Sequence, residues 1–233
     1  MDSQPDSDPR PRAPFAVRAL IASNALVFGY ELALSNGASA DASALGEFIA
    51  SWGLVPREFL RELADPGATR QTVWLTPISS MFVHASVLHL ASNLLYLWVF
   101  GDEIERWLGA RRFLLLYFAC GLAASALQIA SDPSSYVATV GASGAISGLL
   151  GAYVASFPQR RLRLRWPRVS IPALAFLLAW VVIQVLSGIE YRTAEEGGPA
   201  WWAHTGGFAA GFALARWLRA HGRAADLRTP SSS

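Results

Sequence analysis

Long apolar runs, separated by short polar segments, dominate the chain from residue 14 onward. Each run approaches the roughly 20 residues that a helix needs to cross the hydrocarbon core of a bilayer. The runs predict an all-α membrane protein with six transmembrane helices, at Phe15–Leu34, Ser86–Ile104, Arg112–Ala130, Val140–Phe157, Ile171–Ile189 and Ala200–Ala220. The fourth run is short, because glycines interrupt its beginning.

The other segments are arranged around this membrane domain, which we place at residues 14–220. Residues 1–13 and 221–233 predict disordered cytoplasmic tails. A long first extracytoplasmic loop, from Ser35 to about Ser79, mixes polar and apolar residues and predicts one or two short helices lying on the membrane. Ala38-Ser39-Ala40 resembles a signal-peptide cleavage site, but the apolar run before it is too long, so we expect a retained helix.

The composition agrees with a lipid environment, since 53% of the residues are hydrophobic, only 15% are charged, and nine are tryptophan. The basic residues are all arginine, and most lie in the two terminal segments, the second-to-third loop and the fourth-to-fifth loop. With a net charge of only +2, this uneven placement indicates topology and not nucleic-acid binding. We therefore expect a multi-pass protein of a bacterial inner (plasma) membrane with both termini in the cytoplasm. The single cysteine, Cys120, cannot form an intrachain disulfide.

A candidate nucleophile lies in Gly141-Ala142-Ser143-Gly144, which opens the fourth run. Glycines beside a serine let the backbone turn sharply and let another helix or a substrate come close. This pattern suits an exposed serine at the start of a helix. By itself it also suits a tight packing seam, which is the more common meaning of small residues in a membrane helix. The choice depends on whether a base and an oxyanion site lie elsewhere in the chain.

A histidine near the start of the sixth run is the candidate base. His204 is accompanied by a row of small residues at helical spacing, and the fourth run carries a matching row: Ala203, Gly207 and Gly211 in one, Ser143, Ser147 and Gly151 in the other. Two such rows would let the helices approach closely and bring Ser143 and His204 to similar depth. A serine beside a neutral imidazole is the minimum for an activated nucleophile. The alternative is that His204 only bonds a backbone carbonyl and joins helices.

Two polar residues of the second run are candidate hydrogen-bond donors. His89 and Asn93 are four residues apart and so share one face of a helix. Together with the Ser143 backbone N–H they would suit a developing oxyanion. The alternative is an interhelical polar clamp. His84 falls at the boundary between loop and helix, and we expect it to be structural.

In this order along the chain, the motifs resemble those of the rhomboid family of intramembrane serine proteases, over about Trp52 to Trp217. The similar segments are His84, His89 and Asn93 in the spacing His-x4-His-x3-Asn, Phe100–Glu105 with Leu108-Gly109, Gly141-Ala142-Ser143-Gly144, and Ala203-His204-x-Gly206-Gly207. Each segment is common by itself, but their joint order on spans two, four and six is specific.

The resemblance implies a rhomboid-like bundle in which Ser143 attacks and His204 acts as base and then acid, with no acidic third member. It also assigns His89, Asn93 and the Ser143 N–H to an oxyanion hole. The implied partners are single-pass transmembrane substrates, cut near the outer membrane face, in membrane lipid. No metal, cofactor or nucleic acid is implied, and the oligomeric state stays open.

Two positions differ from the family pattern. Trp74 is followed by Leu75, where many members have a Trp-Arg pair in the first loop. Ser147 stands four residues after the nucleophile, where several members place an aromatic that stacks on the histidine. We expect other groups to hold His204, with Trp201 and Trp202 as candidates.

Two other functions compete with proteolysis. A non-catalytic rhomboid-like protein would bind membrane helices without cutting them, but it would not need the four polar side chains Ser143, His204, His89 and Asn93. A small transporter would line a path with polar groups across several spans. Here the deep polar groups are few and converge toward the outer half, so the sequence favours the protease.

Overall fold

The computed structural model describes residues 14–36, 42–159, 161–164, 169–172, 175, 177–178 and 201–221. The predicted N-terminal tail, the C-terminal tail after His221 and most of the predicted fifth span lie outside these residues. The described helices are α1 Phe15–Asn36, α2 Ala42–Trp52, α3 Pro56–Ala64, α4 Thr76–Ser79, α5 Val87–Tyr96, α6 Asp102–Leu108, α7 Ala110–Ser131, α8 Ser143–Ser156 and α9 Trp201–His221.

Within the part of the chain that the structure describes, named helices lie in the first, second, third, fourth and sixth predicted spans. Helix α1 and helix α7 are long and apolar enough to cross a membrane, and α8 is a shorter apolar helix. Helix α5 passes through a π-helical turn, Leu97–Gly101, directly into α6, so the second span forms one unbroken helical segment. The predicted first loop contains α2, α3, a 3₁₀ turn at Gln71–Leu75 and α4.

The fourth-to-fifth connection differs locally from the prediction. It contains a two-stranded antiparallel ribbon of β1 Arg161–Leu164 and β2 Val169–Pro172. Ile171, predicted to start the fifth span, pairs instead with Leu162. Arginine and leucine alternate along β1, and this period of two is typical of a strand. The sequence interpretation treated these arginines only as topology markers.

A buried carboxylate joins the first span to the second. Glu105 on α6 accepts hydrogen bonds from the backbone N–H groups of Ala16, at 3.0 Å, and Val17, at 2.8 Å. The first N–H groups of a helix have no acceptor within the helix, and the positive end of the helix dipole favours a negative charge. Glu105 therefore fixes the beginning of α1 against the end of the second span.

Helices α8 and α9 meet at a seam of glycines. A Cβ atom built on Gly207 would overlap the carbonyl oxygen of Gly144, and one on Gly211 would overlap that of Gly148. A Cβ on Gly151 would overlap the carbonyl oxygen of Phe208. The close approach predicted for these helices is present, but the row on α8 is Gly144, Gly148 and Gly151, so the predicted Ser143 and Ser147 lie one residue away from it.

The first loop is fixed by one arginine and one glutamate. The Arg70 guanidinium donates to the Ala50 carbonyl at 2.5 Å, to Ser51 Oγ at 3.0 Å and to the Glu58 carboxylate at 2.7 Å. The Glu62 carboxylate accepts from the backbone N–H groups of Gly67 and Thr69, each at 2.8 Å. These contacts tie α2, α3 and the following turn together, although Leu75 stands where many members have arginine.

Substitution at the glycine seam should destabilise the protein. We expect Gly211→Ala to lower the free energy of unfolding by about 1–3 kcal/mol, because the new Cβ meets backbone atoms that cannot rotate away. The matched control is Gly29→Ala, since a Cβ there meets nothing within 4 Å. The midpoint of thermal unfolding in detergent measures both; equal midpoints for the two variants would contradict a tight seam.

The Glu62 contacts should make the first loop sensitive to acid. The hydrogen bonds from Gly67 and Thr69 hold the pKa of the Glu62 carboxyl below its ordinary value of 4.5. A lowered pKa in the folded state means that the carboxylate stabilises the fold above pH 4.5 and that this stabilisation is lost as the pH falls through the folded-state pKa. Glu62→Gln should therefore unfold at a lower temperature than the wild type at neutral pH.

The difference between Glu62→Gln and the wild type should narrow as the pH falls below 4.5 and close once the pH is below the folded-state pKa of Glu62, where both side chains are uncharged. Thermal unfolding across a pH series measures this difference. A difference that stays constant from neutral pH to the acid end would show that the shape of the side chain matters and its charge does not.

Candidate active site

Ser143 is the first residue of α8, and the loop before it is firmly held. Leu54 and Thr139 exchange backbone hydrogen bonds of 3.0 and 2.8 Å, and the Gly141 N–H donates to the Ser80 carbonyl at 2.8 Å. Gly141 has φ +109°, a conformation that side chains disfavour, so glycine is required at the turn into the helix. The turn leaves Ser143 partly exposed at the N-terminus of α8.

His204 lies against this serine. Its Nε2 is 2.7 Å from Ser143 Oγ, and the imidazole is buried, with 8% of the residue exposed. This distance allows a proton to pass directly from the hydroxyl to the ring nitrogen. The two residues come from α8 and α9, and they are adjacent because the glycine seam holds the two backbones together.

The first turn of α9 is anchored to α7. Gln128 near the end of α7 accepts a hydrogen bond from the Ala203 N–H, at 3.3 Å, through its Oε1 atom. This satisfies one of the free N–H groups at the start of α9, next to His204. Gln128 is not identified as a functional residue in the sequence analysis, although a glutamine near the end of an apolar run is a signal for a hydrogen bond between helices. Trp202, a predicted holder of His204, is 54% exposed.

His89 and Asn93 face the loop that precedes Ser143. A Cβ atom on Gly141 would come within 2.6 Å of His89 Nε2 and 3.5 Å of Asn93 Nδ2, so only glycine leaves room for both side chains. Asn93 is buried, and its Nδ2 has no hydrogen-bond partner within the described part of the chain. A buried donor without an acceptor is costly, and it is well placed to donate to a substrate oxygen.

A second layer of contacts supports His89. The ring of His84 meets the ring of His89 edge-on, with centroids 5.1 Å apart, and His84 Nδ1 lies 3.1 Å from the Phe82 carbonyl oxygen. The His84 backbone N–H donates to the carboxylate of Glu31, at 3.1 and 3.3 Å. Glu31 was also missed in the sequence. Its signal is a carboxylate inside the first apolar run, where ionisable residues are costly.

The predicted structural glycines lie at helix contacts. A Cβ on Gly144 would come within 2.7 Å of Ala124 Cβ, and one on Gly206 within 2.9 Å of the Ala123 carbonyl oxygen. Gly207 contacts α8 at the seam. These glycines therefore pack α7, α8 and α9 around Ser143 and His204.

Comparison with known proteins agrees with this arrangement. Residues 71–221 match the family model described as the Rhomboid domain. Rhomboid protease GluP of Bacillus subtilis (strain 168) is 35% identical over 144 residues, which are 61% of this chain and 25% of that protein. RHOMBOID-like protein 5 of Arabidopsis thaliana is 33% identical over 139 residues, which are 59% of this chain and 41% of that protein.

A third relative, Rhomboid-like protease 3 of Toxoplasma gondii, is 30% identical over 137 residues, or 59% of this chain and 49% of that protein. The chain thus spans between a quarter and a half of the length of these relatives. The matched region covers more than half of the chain and includes α5, α8 and α9 with all four candidate side chains. The chain therefore belongs to the rhomboid family.

Proposed function

We propose that the protein is an intramembrane serine endopeptidase that cuts transmembrane-helix substrates near the outer membrane face. The observation that carries the proposal is the 2.7 Å contact between Ser143 Oγ and His204 Nε2 at the start of α8. The relatives from Bacillus subtilis and Toxoplasma gondii are named proteases, which supports the same reaction class.

In the first step Ser143 Oγ attacks the carbonyl carbon of the scissile peptide bond. The hydroxyl proton passes to His204 Nε2, so the new C–O bond forms as the O–H bond breaks. The carbonyl oxygen becomes an anion. The C–N bond then breaks, His204 returns the proton to the leaving amine, and the substrate carbonyl stays on Ser143 as an ester.

Three donors are available to the oxyanion. The Ser143 N–H lies at the N-terminus of α8, where backbone N–H groups have no partner in the helix and the dipole favours negative charge. The Asn93 carboxamide and the His89 imidazole lie against Gly141, two residues before Ser143. Donors fixed before the reaction stabilise the developing charge without reorganising during it.

Hydrolysis of the ester requires water at Ser143. The 14 residues of α8 rise about 21 Å, whereas the hydrocarbon core is about 30 Å thick. If the C-terminus of α8 lies at the cytoplasmic edge, Ser143 lies recessed beneath the outer edge at the floor of a cavity open to the outside. His204 then takes a proton from the water as the water oxygen attacks the ester carbonyl carbon. The bond from that carbon to Ser143 Oγ breaks, His204 returns the proton to Oγ, and the substrate leaves with a new carboxyl group.

The proposal extends to topology and partners. Six spans with both termini in the cytoplasm of a bacterial cell place the Ser143 end of α8 toward the outside. The substrates are single-pass transmembrane proteins, whose helix must unwind locally to reach Ser143. Surrounding lipid is then the medium in which substrate and enzyme meet.

Loss of either member of the catalytic pair should remove nearly all activity. We expect Ser143→Ala and His204→Ala each to lower cleavage of a transmembrane model substrate by about 10³-fold or more, and the double variant to be scarcely worse, because the two groups act as a unit. Reaction of a fluorophosphonate probe with the wild type should vanish in all three variants.

His221→Ala is the matched control, because His221 is an exposed histidine at the other end of α9. It should leave cleavage and labelling unchanged, and thermal unfolding should show that every variant is folded. Additive losses in the double variant would contradict the pair. A folded wild type that is neither labelled nor active in lipid would favour a non-catalytic helix-binding protein.

Removal of one oxyanion donor should slow the chemistry without weakening substrate binding. Asn93→Ala should lower kcat by about 10–1,000-fold with little change in KM, because its contact forms only in the transition state. Ser92→Ala is the control, since among the described residues the Ser92 hydroxyl bonds only the His89 carbonyl of its own helix. Unchanged kcat in Asn93→Ala would remove this residue from the oxyanion hole.

A further inference from the structure

A pocket of about 560 Å³ opens beside the loop that leads to Ser143. It is formed by α3, the turn after it and the loop between α7 and α8, and its polar lining includes Arg57, Glu58, Arg61, Thr69, Arg70 and Tyr136. None of these side chains takes part in the reaction described above. The pocket is therefore a separate feature at the same end of the bundle as the candidate active site.

The pocket carries an excess of positive charge. Of its three arginines, Arg70 is engaged by Glu58, at 2.7 Å. The Arg57 guanidinium lies over the Tyr136 ring in a cation–π contact, with its Cζ 4.5 Å from the ring centroid. Within the residues that the structure describes, neither Arg57 nor Arg61 forms an ion pair. Two guanidinium groups four residues apart thus face the pocket from one side of α3.

The pocket is directly connected to the loop that precedes the nucleophile. The Arg57 N–H donates to the Ser135 carbonyl at 3.1 Å, and Leu54 pairs with Thr139. Tyr136 precedes Ser143 by seven residues, so the pocket lies at most ~25 Å from the serine along the chain. An extended peptide of about eight residues can therefore reach from Ser143 to the arginines.

We propose that this arginine pocket is a docking site for an acidic segment that flanks the cleavage site of a transmembrane substrate on the outer side. The proposal rests on the proposed protease function. Asp or Glu side chains complement the two uncompensated guanidinium groups, and arginine binds carboxylates through two parallel N–H donors. The pocket would select among substrates that present similar helices to Ser143.

The orientation of α3 favours a peptide over a lipid headgroup. Phe59 and Leu63 form the apolar side of α3; Phe59 packs on Trp74 with ring centroids 5.5 Å apart, and Leu63 is 58% exposed. At 100° per residue, this side points away from Arg57 and Arg61. If the apolar side lies on the membrane, the arginines face the water, where the flanking segment of a substrate is found.

The test compares substrates that share one transmembrane segment and cut site but carry an acidic, a neutral or a basic flank of about eight residues. The enzyme is reconstituted in phosphatidylcholine vesicles. For the wild type we expect kcat/KM to be about threefold to tenfold higher for the acidic than for the neutral flank, mainly through KM, and to fall toward the neutral value at high salt. Arg57→Gln and Arg61→Gln should each reduce this preference, and Arg61→Glu should shift it toward the basic flank.

Arg216→Gln is the matched control, because Arg216 is an exposed arginine on α9, far along the helix from His204. It should keep the preference of the wild type. Equal kcat/KM for the three flanks in the wild type would overturn the docking site while leaving the protease function intact. Absence of Ser143-dependent cleavage of every substrate would instead overturn the proposed function.

A lipid site gives a different result. In that case Arg57→Gln and Arg61→Gln would lower cleavage of all three substrates equally, and only in vesicles that contain phosphatidylglycerol. This outcome would also overturn the peptide docking site.

Discussion

The backbone contact between α8 and α9 is the constraint on which the candidate active site depends. Gly207 and Gly211 lie against the carbonyl oxygens of Gly144 and Gly148, a separation that leaves no room for a Cβ atom. Lipid chains are as apolar as leucine, so association of membrane helices depends on close packing and hydrogen bonds. Ser143 and His204 lie one turn or less from these contacts. The seam therefore brings the two backbones close enough for Ser143 Oγ and His204 Nε2 to lie 2.7 Å apart.

Polar side chains fix the ends of the helices around this seam. Glu105 caps the beginning of α1, Gln128 holds the beginning of α9, and the Arg219 guanidinium donates to the Ser156 carbonyl at the end of α8. Free backbone groups at helix ends are costly where water is scarce, and each bond satisfies one of them. Each bond also joins two different elements, so the same groups that lower the cost of burial set the positions of α8 and α9.

The sequence predicts the helical runs, the helix starting at Ser143 and the residues that meet there, because apolar length and motif order are local features. It does not predict which row of small residues on α8 contacts α9. Positions 143 and 144 are both small, so one row that starts at Ser143 and another that starts at Gly144 fit a similar helical spacing. Glu31 and Gln128 act over 53 and 75 residues of sequence, and no local pattern pairs them with their partners. The sequence does not predict the β1–β2 ribbon, because the apolar residues of β2 continue directly into the apolar run of the fifth predicted span.

The same contacts explain why α8 accepts serine at position 147. Ser147 is fully buried, and its hydroxyl donates to the Ser143 carbonyl at 2.7 Å. The buried hydroxyl therefore has its hydrogen-bond partner within α8. The helix is fixed on both sides of His204: the Gln128 bond holds Ala203 before it, and the Gly207 contact with α8 follows it. The departure from the family pattern at Ser147 is therefore compatible with a helix whose backbone is fixed on both sides of His204.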